Sequence, residues 1–203
     1  MSNMPSDRGM DAELLRAARR GDLRGVLLAL DDGASVRAAD DKGNALAAVG
    51  GSRKRKVMAV LVRKGASPDQ TNPAGQTPLM QAAVRGDVGY ARALLAVGAN
   101  PNLVNDQSET ALTFAVVWRQ AGVVALLLRS GAKADKPIRP WTPLMYAAQA
   151  GDVRIARQLL KAGARPNRTD SYGRTASDIA KAHGHHAFLA MLERKLLLTA
   201  RRS

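Results

Sequence analysis

A Gly-Ala pair recurs along this chain at intervals of 32 or 33 residues. Each pair follows a Leu-rich run, and the pairs are Gly33-Ala34, Gly65-Ala66, Gly98-Ala99, Gly131-Ala132 and Gly163-Ala164. A period of this length is typical of solenoids, in which stacked units bury apolar faces that one unit cannot bury alone. The 203 residues, 46% of them apolar, predict about six units in a single elongated domain over residues 11–203. Residues 1–10 are polar, and we expect them to form a flexible leader.

The start of each unit carries a helix signal. Residues 77–87 and 142–152 match at most positions, and both open on Thr-Pro-Leu-Met. Thr is a good N-cap, and Pro fits the first helical position because no amide partner is lost there. Leu79, Ala82 and Ala83 follow at helical spacing and form a narrow apolar stripe. We therefore predict a short helix here, whose small Ala residues let a neighbouring helix approach closely.

A second helix completes each unit. Gly86 ends the first helix, and Asp87 can cap a second one that ends at Gly98, where glycine takes the left-handed conformation without steric cost. The residues from Asn100 to the next helix start are rich in turn-formers. Each unit is thus predicted to be a helix, a tight turn, a second helix and an extended connection.

This pattern resembles the ankyrin repeat, whose consensus places Thr-Pro-Leu-His before an Ala-Ala pair and Leu-Leu before Gly-Ala. The resemblance covers roughly residues 11–195 and implies an all-α ankyrin-repeat solenoid of stacked helix-turn-helix units with projecting β-turn or hairpin loops. The implied repeats span about residues 11–39, 40–71, 72–104, 105–136, 137–169 and 170–203. We expect the first of them to be an N-terminal cap with a polar outer face.

Three departures from the consensus lead to structural expectations. The consensus His is replaced throughout, and the side-chain hydrogen bond that it makes at the helix start is not expected; the replacements are Met80, Thr113, Met145 and Asp178. Gly50-Gly51 predicts a shortened first helix in the second repeat, because each Gly costs a helix about 1 kcal/mol relative to Ala. The last helix should extend past the expected Gly and cover the end of the stack, with residues 200–203 loose.

The resemblance also implies where a partner would bind. Ankyrin repeats present a concave face lined by the first helices and the turns beside them. The end of the first helix contributes Arg20, Ser52, Arg85, Trp118, Ala150 and His183. The residue before the helix-capping Thr contributes Gln76, Glu109, Trp141 and Arg174, and the turn tips add Arg139 and Tyr172.

Both tryptophans of the chain, Trp118 and Trp141, fall on these positions in adjacent repeats. Trp and Arg dominate interface hot spots because they bury much area and keep a polar group. We therefore predict that the two indoles anchor a partner protein, with the Arg and Tyr residues of the same set around them. The alternative interpretation is that each indole packs on the neighbouring repeat and stiffens an irregular turn.

Residue types suited to catalysis are scarce. The chain has no Cys, and its histidines, His183, His185 and His186, lie within one turn, so a nucleophile and a base are hard to assemble. These histidines could hold a metal beside Asp178, but Gly184-His185 occupies the place of the Gly-His pair of the ankyrin consensus. We predict a protein that is not an enzyme and has no cofactor and no metal site. An enzyme or metal protein centred on the histidines is the weaker alternative.

The net charge of +14 is concentrated in residues 53–64, with +6, and in residues 152–203, with +7. Four cations follow a Gly pair at a predicted helix start, where amides and basic side chains can bind an anion: Arg53, Lys54, Arg55 and Lys56. We interpret these residues as the solvated start of a helix. A site for nucleic acid or anionic lipid, formed by residues 53–64 and the basic C-terminal third, is the alternative.

The sequence thus predicts a non-catalytic module that binds another protein, with an acidic surface favoured by the positive field. No apolar run is long enough to span a bilayer and no signal peptide is recognisable. We expect a cytoplasmic monomer, with a secreted effector or a periplasmic protein whose export signal has been removed as alternatives. The excess of Arg over Lys and the abundant Ala favour a bacterial source.

Overall fold

The computed structural model describes residues 7–41, 43–50, 55–136 and 141–200, with side chains except at residues 7, 55 and 196–200. Within these ranges, twelve helices follow one another in six pairs. The first helices of the pairs are α1 (Asp7–Arg20), α3 (Ala45–Val49), α5 (Pro78–Arg85), α7 (Ala111–Val117), α9 (Pro143–Gln149) and α11 (Ala176–Ala182). The second helices are α2 (Leu23–Asp31), α4 (Arg55–Arg63), α6 (Val88–Ala96), α8 (Ala121–Arg129), α10 (Val153–Lys161) and α12 (His186–Ala200).

The helices stack in two layers. Each first helix contacts the first helix of the next pair, and these contacts are closer than those between the corresponding second helices. Small residues such as Ala82, Ala83, Ala147 and Ala148 are buried between the first helices and permit this approach. A stack that is tighter on one side bends toward that side, so the first-helix layer is the concave side. The all-α solenoid predicted from the sequence is confirmed.

A column of buried leucines forms the core between the layers. One member comes from each of the first five pairs, and the members are Leu14, Leu46, Leu79, Leu112 and Leu144. The second helices add Val26, Leu61, Leu94, Leu127 and Leu159, which are fully buried. Burying one such side chain stabilises the fold by about 1.5–3 kcal/mol, and no helix pair could do so without its neighbours.

Four first helices begin at a Thr that caps them. The Thr77 hydroxyl accepts a hydrogen bond from the Met80 amide (3.3 Å), and the Met80 sulfur accepts one from the Thr77 amide (3.4 Å). The same reciprocal pair recurs at Thr110 with Thr113, Thr142 with Met145 and Thr175 with Asp178. The helix-start hydrogen bond, which was not expected without His, is therefore made by sulfur or oxygen acceptors instead of a ring nitrogen.

The connections between pairs are also joined to one another. The carboxylate of Asp69 accepts the Asn100 amide (2.9 Å), and the side-chain oxygen of Asn102 accepts the Lys133 amide (2.9 Å). Asp135 accepts the Arg165 amide (3.3 Å) in the same way. We call these contacts the inter-repeat ladder. It links the connections that follow α4, α6, α8 and α10, each to the next at the same position.

The ends of the stack differ in part from expectation. Helix α1 begins at Asp7 and buries Met10, so residues 7–10 are helical and do not belong to a leader. The outer face of the first pair is not uniformly polar either, because Leu28 on α2 is 54% exposed. Helix α12 extends to Ala200, as predicted, and includes that residue, whereas residues 201–203 lie outside the described ranges.

The second pair carries the shortest first helix among those described. Helix α3 has five residues and ends before Gly50, as the two glycines predicted. It is preceded by the antiparallel strands β1 (Ala39–Asp40) and β2 (Gly43–Asn44), in which Ala39 pairs with Asn44. Asn44 caps α3 by accepting the Ala47 amide at 2.8 Å, so this pair keeps a defined start although its first helix is short.

Candidate functional site

The turn before α11 is organised by one buried carboxylate. Asp170 accepts the backbone amides of Tyr172 (2.9 Å) and Arg174 (3.0 Å) on one oxygen. Its second oxygen accepts the Nε and Nη2 of Arg174, at 3.0 and 2.8 Å, and the indole Nε1 of Trp141 at 3.1 Å. One residue therefore holds the turn closed and positions two side chains from the predicted contact set.

Aromatic rings surround this carboxylate. The ring of Trp141 packs edge-on against Tyr146 of α9, with 5.2 Å between the ring centroids and 62° between the planes. The guanidinium carbon of Arg174 lies 5.9 Å from the Trp141 ring centroid and 5.2 Å from that of Tyr172. At these distances a cation is attracted to the face of a ring. We call the five residues Trp141, Tyr146, Asp170, Tyr172 and Arg174 the Trp141 cluster.

The electrostatics of the Trp141 cluster follow from its contacts. Burial raises the pKa of Asp170, but the hydrogen bonds from Arg174 and Tyr172, together with the Arg174 charge, outweigh burial and lower that pKa to about 2. Asp170 is therefore ionised at neutral pH. Burial, followed by the negative charge of Glu109, raises the pKa of the Tyr146 hydroxyl, which stays protonated as a donor.

The cluster combines rigidity with accessibility. Trp141 is half-buried, whereas Tyr172 is 79% exposed and the Arg174 side chain about half exposed. A ring and a guanidinium are thus presented to solvent by a turn that is fixed through hydrogen bonds. Such a surface can bury a partner's side chain with little loss of conformational entropy.

Trp118 forms a separate exposed site on the first-helix layer. It is the C-cap of α7, where its amide donates to the Phe114 carbonyl at 2.9 Å. Its side chain is 57% exposed and lies beside Val117, which is also exposed. Within the described part of the chain, the Trp118 ring contacts no other aromatic ring and its indole has no hydrogen-bond partner. The alternative of indole packing therefore describes Trp141 in part and does not describe Trp118.

The remaining predicted contact residues occupy different environments. Gln76 and Glu109 belong to turns closed by Asn72 and Asn105, and Glu109 accepts a hydrogen bond from the Asn105 side chain at 2.9 Å. Arg85 is exposed at the end of α5, and Arg20 is exposed beside a groove between α1 and α2. Of the other predicted contact residues, Ala150 is half-buried, whereas Ser52 and Arg139 lie outside the described ranges.

The predicted anion site can be located only in part. Lys56 is exposed near the start of α4, and Arg55 is the first residue of that helix. Arg53 and Lys54 lie outside the described residues. No geometry for anion binding therefore follows at this place.

The histidines pack locally. His183 Nδ1 lies 2.9 Å from the Ile179 carbonyl, and His185 Nε2 lies 3.0 Å from the Gln149 carbonyl in the preceding pair. The rings of His183 and His185 stack with 6.0 Å between centroids. Among the residues that the structure describes, no three His, Asp or Glu side chains converge as metal ligands would.

Two members of the Trp141 cluster were missed by the sequence reasoning. Asp170 lies at the ordinary Asp position of the turn, and Tyr146 stands where the repeats before and after it have Phe114 and Ile179. The sequence does show that Asp170 differs from Asn72 and Asn105 at the same position. An Asp in place of Asn at this position could have predicted a cationic partner such as Arg174.

Comparison with known proteins agrees with the two-layer stack. A family model described as ankyrin repeats, in three copies, matches residues 14–102, 44–139 and 131–197. The chain belongs to the ankyrin-repeat family. Ankyrin repeats are generally non-catalytic modules for protein–protein interaction.

Two curated proteins are similar to parts of this ankyrin-repeat chain. Inversin from Mus musculus is 48% identical over 60 residues, which is 30% of the chain and 5% of inversin. Dauer abnormal formation protein 25 from Caenorhabditis elegans is 36% identical over 58 residues, which is 29% of the chain and 15% of that protein. The similarity therefore extends over only a small fraction of either relative.

None of the helices in the described ranges is both long and apolar enough to cross a lipid bilayer.

Proposed function

We propose that this ankyrin-repeat protein binds a partner protein through its concave face and turn tips, with Trp118 and the Trp141 cluster as anchors. The observation that carries the proposal is Trp118, a 57% exposed indole at the end of a rigid first helix. Trp is among the residue types most enriched in binding hot spots, and Val117 beside Trp118 is also exposed. The Trp141 cluster supports it with a second aromatic surface on the neighbouring turns.

The proposed mechanism is preorganisation. Capped helices and closed turns hold the anchors before the partner arrives, so docking costs little side-chain and loop entropy. Arg85, Arg174 and Arg20 would flank the contact, with Gln76, Glu109 and His183 at its polar rim. The net charge of +14 favours an acidic partner, because it speeds encounter at low salt.

The six helix pairs act as six repeats of one module that needs no cofactor. We further propose that the protein is a monomer, that it acts in the bacterial cytoplasm and that it has no catalytic activity.

Trp118→Ala tests the proposal. Loss of a hot-spot indole costs about 2 kcal/mol or more of binding free energy, which is a decrease in affinity of roughly 30-fold. We expect capture of the partner from native lysate by the wild type and its loss by the variant. Affinity would then be measured by calorimetry with the purified partner.

Leu28→Ala is the matched control for this test. Leu28 is 54% exposed, like Trp118, but lies on the second helix of the first pair. This variant should bind as the wild type does. Equal affinity for the wild type and Trp118→Ala would refute the assignment of the anchor.

A further inference from the structure

The second-helix layer carries charge of nearly one sign. From α4 onward, the second helices contain ten Lys or Arg residues and a single acid, Glu193. The first helices α7 and α9 contain no Lys, Arg, Asp or Glu at all. Apart from Arg55, whose side chain lies outside the described ones, all of these cations are exposed. The tertiary structure therefore gathers cations that are spread over the sequence onto one long wall, on the side opposite to the concave face.

A groove between α10 and α12 is the most concentrated part of this wall. It has a volume of about 350 Å³ and is lined by Arg157, Leu160, Lys161, Met191, Arg194 and Lys195. Arg157 and Lys161 are four residues apart on α10, which places them on the same face of the helix. Leu160 is buried and Met191 is half-buried, so the floor of the groove is apolar while its rim is cationic.

Three cations of the groove lack the ion pairs that others nearby form within the described ranges. Arg165 pairs with Asp135 at 2.6 Å, and Arg174 pairs with Asp170 at 2.8 Å. By contrast, Arg157, Lys161 and Arg194 form no ion pair with any residue in the described ranges. Like charges across a cleft repel one another, and a cleft lined by one sign of charge focuses the field outward. An anion bound there would relieve this repulsion.

We propose that the second-helix layer docks on an anionic lipid surface, with the groove between α10 and α12 accepting one acidic headgroup. Cationic side chains at the rim would contact the phosphate or carboxylate of the headgroup, and Leu160 and Met191 at the floor would contact the carbon atoms of the same headgroup. Basic helices of this kind bind acidic bilayers through charge together with shallow apolar contact. This inference goes beyond the proposed protein-binding function and uses the opposite side of the stack.

A nucleic acid fits the wall less well. Proteins that hold single strands stack bases on exposed aromatic side chains. The aromatic residues that the sequence places in the second helices are Tyr90 and Phe188, and both are fully buried.

Vesicle binding of charge-neutralised variants tests the proposal. The groove variant is Arg157→Gln, Lys161→Gln and Arg194→Gln combined, and the probe is vesicles of phosphatidylcholine with about 30% phosphatidylserine. Each basic residue near such a surface strengthens binding several-fold, so the three changes should weaken partitioning by roughly 30-fold or more. Wild-type binding should weaken steeply between about 50 and 300 mM salt and be absent on pure phosphatidylcholine.

Two matched variants carry the same loss of charge at other places. The first removes three positive charges from the second-helix layer away from the groove, through Arg63→Gln, Arg92→Gln and Arg129→Gln combined. Its partitioning to vesicles should be intermediate between that of the wild type and that of the groove variant. The second removes three positive charges from the first helices, through Arg16→Gln, Arg20→Gln and Arg85→Gln combined. This variant should change partitioning to vesicles by less than about threefold. Circular dichroism would establish that all three variants are folded.

Two results would overturn the proposal. One is an equal loss of vesicle binding in the groove variant and in the first-helix variant. The other is tighter, groove-dependent binding to a short DNA duplex than to the acidic vesicles. Either result leaves the test of Trp118 unaffected, because that test concerns the concave side.

Discussion

At the scale of single residues, one carboxylate holds together the side chains of the Trp141 cluster. Asn72, Asn105 and Asp170 each accept two backbone amides through one side-chain oxygen. Of the three, Asp170 alone is charged, and its second oxygen receives Arg174 and the Trp141 indole. The turn forms with either residue type, whereas the arrangement of the aromatic side chains depends on the Asp.

Asp170→Asn should lower Tm by roughly 2–5 °C at neutral pH and make the protein less sensitive to acid. The pKa of Asp170 is about 2 in the fold, against about 3.9 in an unfolded chain. Its stabilising effect is therefore complete above about pH 4 and is lost as the pH falls towards 2. Thermal melts at a series of pH values should show the difference in Tm between wild type and variant narrowing below about pH 4.

The exposed Asp41→Asn substitution is the control for the acid series, and it should melt close to the wild type at every pH. A difference in Tm between the wild type and Asp170→Asn that stays constant down to about pH 2 would mean that Asp170 has no depressed pKa in the fold.

At the scale of secondary structure elements, α3 depends on a contact from another pair. The last four carbonyls of a helix have no partner within it, and in the five-residue α3 these include the carbonyl of Leu46. The Tyr90 hydroxyl of α6 donates a hydrogen bond to this carbonyl. Burial raises the pKa of Tyr90 well above its usual range, so the hydroxyl remains a donor even in alkaline solution. A helix weakened by two glycines is thus completed by a neighbouring side chain.

Tyr90→Phe should reduce the free energy of unfolding by about 1–3 kcal/mol, because it leaves the buried Leu46 carbonyl without a donor. Urea titration measures this loss, and hydrogen exchange should show faster opening of the amides of α3 than of α7. Tyr172→Phe is the control, since its hydroxyl lies on an exposed turn and its loss should change stability little. Equal stability of the wild type and Tyr90→Phe would show that water replaces the hydroxyl.

At the scale of the whole molecule, the stack is held by contacts that repeat with the period of the sequence. The leucine column buries one residue from each of five pairs, and the inter-repeat ladder joins successive connections through Asp69, Asn102 and Asp135. In a solenoid, each unit contacts only its neighbours, so cooperativity depends on the strength of these interfaces.

Asn102→Ala should therefore reduce both stability and cooperativity. It removes the acceptor of the Lys133 amide and the donor to the Gly131 carbonyl (3.0 Å), and an ordinary exposed hydrogen bond contributes about 0.5–1.5 kcal/mol. Weaker coupling at one interface lets the two halves of the stack unfold separately, so the urea m value should fall.

Asn167→Ala is the matched control for this interface. Asn167 occupies the same position two repeats later, and its side chain forms no hydrogen bond with any residue in the described ranges. Its replacement should leave the midpoint and the m value close to those of the wild type. A similar loss in both variants would show that Asn102 acts through its own turn and not through the ladder.

The architecture could be predicted from the amino-acid sequence alone, because the 32- or 33-residue period, the Thr caps and the Gly-Ala pairs are local signals that repeat. The sequence also indicated the short α3 and the long α12, since Gly costs any helix stability and the apolar run of the last repeat is visible in the chain. The positions of Trp118, Trp141 and Arg174 were available from the family resemblance.

Packing between repeats determines which of these residues contact one another. The Trp141 indole reaches a carboxylate 29 residues away, and the cations of α10 meet those of α12 across a groove. Both arrangements arise because successive repeats stack on one another, which brings side chains of different repeats into contact. The relative positions of side chains in neighbouring repeats depend on helix packing and not on any one segment, so local sequence signals do not predict them.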